Sequence, residues 1–290
     1  MPRGVPKTGF RAARNGTAKI AKILNVAAAQ VPVIVETDAE IEAKLADRFE
    51  ILDTMTDAAI SGDARALIVS GPAGLGKSFT VEKALNAWDP NAVNHKVVKG
   101  YIKATGLFKL LYAHRAAGQV LVFDDADEVF LDDTAINLLK AACDTSDRRV
   151  ISYMTEYNMI DEESAERLPK SFQFEGTIIF ITNYDFDAMI ERGSKLAPHL
   201  QALVSRAHYI DMAMKNKRDY LIRIRQVIRQ GLLRNINLSE EAQLDVIDFI
   251  EVNQDRLREL SLRMALKIGA IRRKGAANWQ KVARVTCCRN

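Results

Sequence analysis

The residues best suited to chemistry lie in one turn, Gly71-Pro72-Ala73-Gly74-Leu75-Gly76-Lys77-Ser78, between the apolar run 66–70 and an amphipathic stretch that begins at Phe79. It reads G-x-x-x-x-G-K-S, the pattern of a phosphate-binding loop. Its glycines let backbone N–H groups face a polyphosphate, and the helix opening at Lys77-Ser78-Phe79 presents its positive end. Lys77 can reach the outer phosphates of a nucleotide, and Ser78 can offer its hydroxyl to Mg²⁺. A second cluster closes the run Gln119-Val120-Leu121-Val122-Phe123-Asp124-Asp125. This is a buried-strand pattern ending in two carboxylates. In a triphosphatase the first, Asp124, helps hold the metal beside the phosphate loop, and the second, Asp125, polarises the attacking water. Glu128 is the competing base, three residues farther on; some of the acids that follow, among them Asp132 and Asp133, are expected to be solvated turn residues.

Such groups must be carried to the ends of neighbouring strands. Apolar patterning predicts strands over 66–70, 95–101, 120–124, 177–182 and 207–211, with helices over 77–88, 106–117, 134–144 and 195–205 between them. Alternating strand and helix points to an α/β fold, a five-stranded parallel sheet with flanking helices. Ahead of it, Ile41, Leu45, Phe49, Leu52, Met55 and Ile60 recur at three- and four-residue steps, a helix over 38–60 with Asp38 as its cap. After residue 211 the pattern changes to helices alone, over 215–233, 239–253 and 258–273, the middle one opened by Ser239-Glu240-Glu241. The expected organisation is a basic N-terminal extension over 1–37, a nucleotide-binding α/β domain over 38–213, a small all-helical domain over 214–275 and a basic C-terminal tail over 276–290. Within the first segment, a flexible start of sixteen residues precedes a short basic helix over 17–30.

Composition narrows the class. At 290 residues, 48% hydrophobic and 27% charged, the chain is expected to be a soluble globular protein of one large domain or two smaller ones. Apolar runs such as 120–123 and 178–181 are far below the ~18 residues that a membrane span needs. No secretory pattern opens the chain, so a cytoplasmic protein is expected. Three cysteines, Cys143, Cys287 and Cys288, make no disulfide framework and have no His or Cys at metal-ligand spacing. Charge is unevenly placed: residues 1–35 hold six basic side chains and residues 260–290 hold eight, neither with an acid, leaving 27 basic against 37 acidic residues between them. Such ends could neutralise nucleic-acid phosphates or dock on the acidic body of a neighbouring subunit.

Taken in order, these motifs resemble the AAA+ ATPase family, and further residues extend the resemblance over roughly residues 38 to 275. The strand Thr177-Ile178-Ile179-Phe180-Ile181-Thr182-Asn183 resembles the family's sensor 1, which makes Asn183 the residue that orients the catalytic water. Leu203-Val204-Ser205-Arg206 resembles the arginine finger, a permanent cation offered to the γ-phosphate in the neighbouring subunit. Arg192 is the next candidate, and a surface ion pair is the alternative role for Arg206. Leu260-Ser261-Leu262-Arg263 resembles sensor 2, with Arg263 closing over the phosphates of its own subunit; Arg256 and Arg258 lie close enough to compete. The resemblance implies ATP and Mg²⁺ as cofactors, a helical lid after the sheet, and a homo-oligomeric ring, with a hexamer as the expected size. One departure stands out: the family's usual Glu after the metal-binding Asp is Asp125 here. A carboxylate drawn back by roughly one carbon–carbon bond length, ~1.5 Å, implies a slow ATPase, since misplacement on that scale can cost on the order of a hundredfold in rate.

In ring-forming relatives the loop after the second strand grips substrate, here Tyr101-Ile102-Lys103. Tyr101 and Ile102 would suit a polypeptide and Lys103 a phosphate backbone; Tyr101 could instead end its strand inside the core. Residues 147–175 resemble the hairpin placed before sensor 1 in DNA-acting branches, with Arg148, Arg149 and Tyr153 as nucleic-acid contacts or as builders of the subunit interface, and a short acidic helix over 161–168. The function expected from the resemblance is movement on or remodelling of nucleic acid or nucleoprotein, in the manner of phage and mobile-element DNA-metabolism proteins. A protein-remodelling unfoldase and a slow ATP-switch loader that recruits a partner are the alternatives.

Overall fold

The structure, a computed structural model, describes residues 36–156, 159–160, 167–214, 216–275 and 277–289. All but two residues of the expected N-terminal extension, its helix over 17–30, and most of the acidic helix over 161–168 lie outside the described residues. Asp38–Asn290 form one compact unit.

That unit opens with α1 (Asp38–Ser61). Strands and helices then alternate: β1 (Ala66–Ser70), α2 (Lys77–Trp88), β2 (His95–Lys99), α3 (Ala104–Ala113), β3 (Val120–Asp124), a 3₁₀ turn (Asp127–Phe130) and α4 (Asp133–Ala142). A hairpin of β4 (Val150–Ser152) and β5 (Ser171–Gln173) precedes β6 (Thr177–Thr182), α5 (Phe186–Glu191), α6 (Ala197–Val204) and β7 (His208–Asp211). The helical part follows as α7 (Lys217–Arg229), α8 (Glu240–Val252), α9 (Leu262–Arg273) and α10 (Trp279–Cys287).

The main sheet is wholly parallel, in the order β2-β3-β6-β1-β7. Helices cover both of its faces, which is why β1, β3 and β6 read as unbroken apolar runs with every residue buried. Along β1 the side chains alternate: Ala66 and Ile68 join the cluster containing α3 and α4, while Leu67 and Val69 join Phe49 and Leu52 of α1 and Val81 of α2. A separate apolar cluster joins α7, α8, α9 and α10. The chain leaves β1 toward β2 on one side, and β6 connects to β7 on the other. The carboxyl end of β1 is therefore the switch point at which open α/β sheets form a ligand crevice.

Several boundaries differ from those expected. Strand β2 stops at Lys99 because Gly100 turns at φ +89°, so Tyr101 is not a core strand residue but is 70% exposed. Helix α1 begins at Asp38 rather than being capped by it; the Asp38 carboxylate instead receives Arg218 and Arg225 from α7. α9 starts four residues later than its apolar pattern suggests, capped by Ser261, whose hydroxyl accepts from Met264 N–H. The cause lies in the preceding backbone: Arg258 N–H donates to Cys287 O and Arg289 N–H to Arg256 O, tying residues 256–258 to residues 287–289 at the chain end around a Leu257–Cys288 bridge. That chain end is not a bare basic tail. Trp279, Ala283 and Cys287 recur every four residues on α10 and are buried, Trp279 against Phe249 of α8 with ring centroids 5.5 Å apart.

Candidate functional site

The phosphate loop leaves β1 and enters α2 through Gly76, held at φ +102°, a conformation that a side chain would resist. Lys77 is buried, and its ammonium folds back onto the carbonyls of Gly71 and Pro72 and approaches Asn183 Oδ1 at 3.3 Å. Burial pushes its pKa down to about 8, against the opposing pull of Asp125 and Asp124. Asn183, just past β6, donates its amide to Asp125 Oδ1 at 2.7 Å. Lysine, asparagine and the second carboxylate thus form one connected chain.

Asp124 ends β3 and is buried, and Ser78 Oγ donates to it at 2.8 Å. Its other oxygen lies 3.0 Å from the Lys99 ammonium, which also holds Glu82 at 2.7 Å. The parallel register explains this contact, since Lys99 and Asp124 are paired residues on adjacent strands. Asp125 turns out of β3 at φ +53°, an αL conformation that Asp tolerates better than most residues. Beneath it Asp127 accepts from Thr182 Oγ1, and burial raises the Asp127 pKa, with Asp125 and Glu128 adding to the shift.

Opposite the sheet, α9 docks on the loop. Leu262 N–H donates to Gly74 O at 2.8 Å, and a Cβ on Gly74, at φ +76°, would come within 2.6 Å of Ser261 Cβ. Between loop, α1, α7 and α9 is a cavity of about 680 Å³. Loop residues from Ala73 to Phe79 line it, together with Asp125, Asn183 and Arg263, while Phe49, Val227, Leu262 and Leu266 form an apolar part. A polyphosphate fits at the loop and a flat base in the apolar part. Among the described residues no cluster of three or more His, Cys, Asp or Glu could hold a metal by itself. Ser78 and Asp124 suit Mg²⁺ shared with phosphate oxygens and water.

Of the expected site residues, the structure brings Lys77, Ser78, Asp125, Asn183 and Arg263 together around one cavity, with Asp124 buried behind it on the Ser78 hydroxyl. Glu128, Arg256 and Arg258 do not line it, and Phe79, 69% exposed, stands at its edge. Arg206 is outside it as well: its guanidinium donates to Ala202 O at 2.7 Å and pairs with Asp144 at 3.5 Å. Arg192 is exposed.

Two substrate contacts require correction. Ile102 is 8% exposed and packs in the core beneath α3, leaving only its neighbours Tyr101 and Lys103 exposed. Arg149 is buried under the β4–β5 hairpin, donating to Ala142 O and Gly176 O at 2.8 and 2.9 Å over the Phe174 ring. It satisfies carbonyls that would otherwise be orphaned, and it has no face for nucleic acid. Arg148 is exposed, and Tyr153 packs on Phe108.

Two residues escaped the sequence reading. Lys99 becomes visible only once β2 and β3 are known to be neighbours. Arg223 of α7 lines the cavity although it sits in the apolar-looking stretch Leu221-Ile222-Arg223-Ile224, and burial lowers its pKa to about 10. A lone arginine at a buried helical position was the available signal.

No protein-family model matches the chain. It is 37% identical over 256 residues to an uncharacterized 36.7 kDa protein in the nrdC-mobD intergenic region of Enterobacteria phage T4, covering 88% of this chain and 78% of that one. Among solved structures, a point mutant of Thermotoga maritima RuvB aligns with a TM-score of 0.48 at 13% identity, covering 84% of this chain and 69% of RuvB. NtrX from Brucella abortus in complex with ATP aligns with a TM-score of 0.45 at 13% identity, over 88% of this chain and 55% of NtrX.

Proposed function

The chain belongs to the same family as the 36.7 kDa phage T4 protein, and from its phosphate loop, its wholly parallel sheet and the residues gathered at the strand ends we propose that it is an AAA+ ATPase that assembles with copies of itself and acts on nucleic acid or nucleoprotein. The observation that carries the ATPase reading is the connected set at the mouth of the phosphate loop: Lys77 on Asn183, Asn183 on Asp125, and Ser78 on Asp124. Lys77 releases the loop carbonyls to take the outer phosphates, and Arg263 approaches from the lid helix α9. Ser78 and Asp124 would hold Mg²⁺, which would neutralise charge on the phosphate oxygens. Asn183 fixes the Asp125 carboxylate, which accepts the proton of the attacking water. Asp125 is shorter than Glu, so turnover is slow.

Arg206 lies outside the cavity of its own subunit, which supports action on a neighbour's nucleotide and hence a ring, with six subunits as the expected number. For the substrate, the exposed Tyr101 and Lys103 supply a stacking surface and a phosphate contact on one loop, with Arg148 exposed on another. Burial of Ile102 removes the aromatic–aliphatic pair that would suit a polypeptide, so the unfoldase reading is weaker. A switch that binds ATP and recruits a partner keeps one favourable observation, the retracted Asp125 carboxylate. Among the described residues no helix is long and apolar enough to cross a membrane; a cytoplasmic location goes with the nucleic-acid reading.

The deciding experiment measures ATP turnover with and without single-stranded DNA, duplex DNA and an unfolded polypeptide. Stimulation by DNA is expected. Stimulation by the polypeptide alone would overturn the substrate assignment, and failure to bind ATP would overturn the whole reading.

A further inference from the structure

Arg223 stands on α7 with only 7% of its surface exposed. Its guanidinium carbon lies 3.4 Å from the centroid of the Phe49 ring, and Nη1 donates to Gln226 Oε1 at 2.7 Å. Nε is buried and makes no hydrogen bond. Among the described residues no carboxylate pairs with it within 4 Å. Nη2 points toward the phosphate loop, 3.9 Å from the position a Cβ would take on Gly76. It lines the same cavity as Lys77, on the side formed by the helices.

A delocalised cation taken out of water without a counter-ion is costly, and an aromatic face plus one amide oxygen returns only part of that cost. Within the chain this group is therefore underpaired, and what it faces is the phosphate loop. The fork of a guanidinium matches phosphate oxygens, whereas its open Nε has no use in a purely packing role.

We propose that Arg223 is a second phosphate-binding cation contributed by the helical part, held on Phe49 and Gln226 until a nucleotide's phosphates draw it toward the loop. This rests on the cavity being the nucleotide site, and it adds to Lys77 and Arg263 a contact that ties α7 to nucleotide occupancy. Because α7 also holds α1 through Arg218 and Arg225 on Asp38, the contact links the helical part and the leading helix to the state of the site.

The test uses the full chain and three variants. Arg223→Met keeps length and removes charge, Arg223→Lys keeps charge without the fork, and Lys77→Ala serves as the loop control. Affinity for ATP and ADP is read by calorimetry, and melting temperature is read with and without nucleotide. The Met variant is expected to weaken ATP binding at least roughly tenfold, with the Lys variant in between, while melting without nucleotide is unchanged or higher because an unpaired buried charge has gone. A loss of ATP affinity smaller than roughly tenfold, with or without lower melting, would overturn the proposal and leave Arg223 a packing residue. If the Met variant does not fold, Arg223→Gln replaces it under the same criteria. Should the parent bind ATP and Lys77→Ala lose it while the Arg223 variants do not, only this proposal fails; should the parent not bind ATP at all, the nucleotide reading fails first.

Discussion

At the scale of single residues, the site is governed by what burial does to charge. Lys77 has a pKa near 8 in the folded chain, below its unfolded value. A cation depressed in this way costs stability below that pH, here about 3 kcal/mol, and the cost fades as pH rises from about 8 toward 10.5. Bound phosphates reverse the effect by favouring the charged form. ATP binding should therefore take up protons increasingly as pH rises from about 7 to 9, seen as a buffer-dependent heat in calorimetry, and a binding heat independent of the buffer across that range would show that Lys77 is already charged before ATP binds. Asp125 is held by Asn183 but has no ion-pair partner among the described residues, which leaves it free for the proposed role on water. Asp125→Asn is expected to lower turnover at least roughly a hundredfold and to leave ATP affinity within about threefold; a matching loss of affinity would make it a binding group instead. Lys99 sits on the Asp124 oxygen that Ser78 leaves free, so its charge competes with a cation for the same carboxylate. Its head is more than half exposed, so the pair is weak, and Lys99→Met should lower the Mg²⁺ needed for half-maximal ATP binding by up to about fivefold.

At the scale of elements, the decisive contact is the one between the phosphate loop and the start of α9. Gly74 combines a positive φ with a Ser261 Cβ that leaves no room for a side chain, and the Leu262 N–H is satisfied by the Gly74 carbonyl. Gly74→Ala should destabilise the chain by about 1–3 kcal/mol in chemical denaturation and weaken ATP binding as well, because strain and clash fall on the same turn. Gly62→Ala is the control, with φ +85° but nothing within 4 Å, and should cost stability without touching affinity. The places of the phosphate loop and of the strand ends 124–125 and 182–183 were legible in the sequence because each is written in contiguous residues. The hairpin expected within 147–175 is present as well, but the role of Arg149 was not legible: only the Gly176 and Ala142 carbonyls decide that its side chain turns inward.

At the scale of the whole molecule, Arg206 separates a self-sufficient subunit from a shared catalytic centre. Arg206→Ala subunits and Lys77→Ala subunits should each be nearly inactive, and mixing them should restore part of the turnover at interfaces that pair an intact loop with an intact finger. Absence of recovery across mixing ratios would leave Arg206 as the partner of Asp144 and nothing more. The same experiment in a sizing column tests assembly, since recovery without a higher-order particle would be inconsistent with action across an interface.

The amino-acid order by itself determined the chemistry of the phosphate loop, the parallel α/β plan and the helical part after it. Backbone dihedral preferences and the apolar period act over a few residues and need no knowledge of distant neighbours. Only the tertiary structure decided that Lys99 neutralises Asp124, that Ile102 and Arg149 belong to the interior, that residues 279–287 fold back as a helix, and that Arg223 waits beside the loop. Each of these depends on which surfaces meet across the fold, and burial and pairing between residues tens to hundreds of positions apart are set by strand order and packing rather than by local pattern.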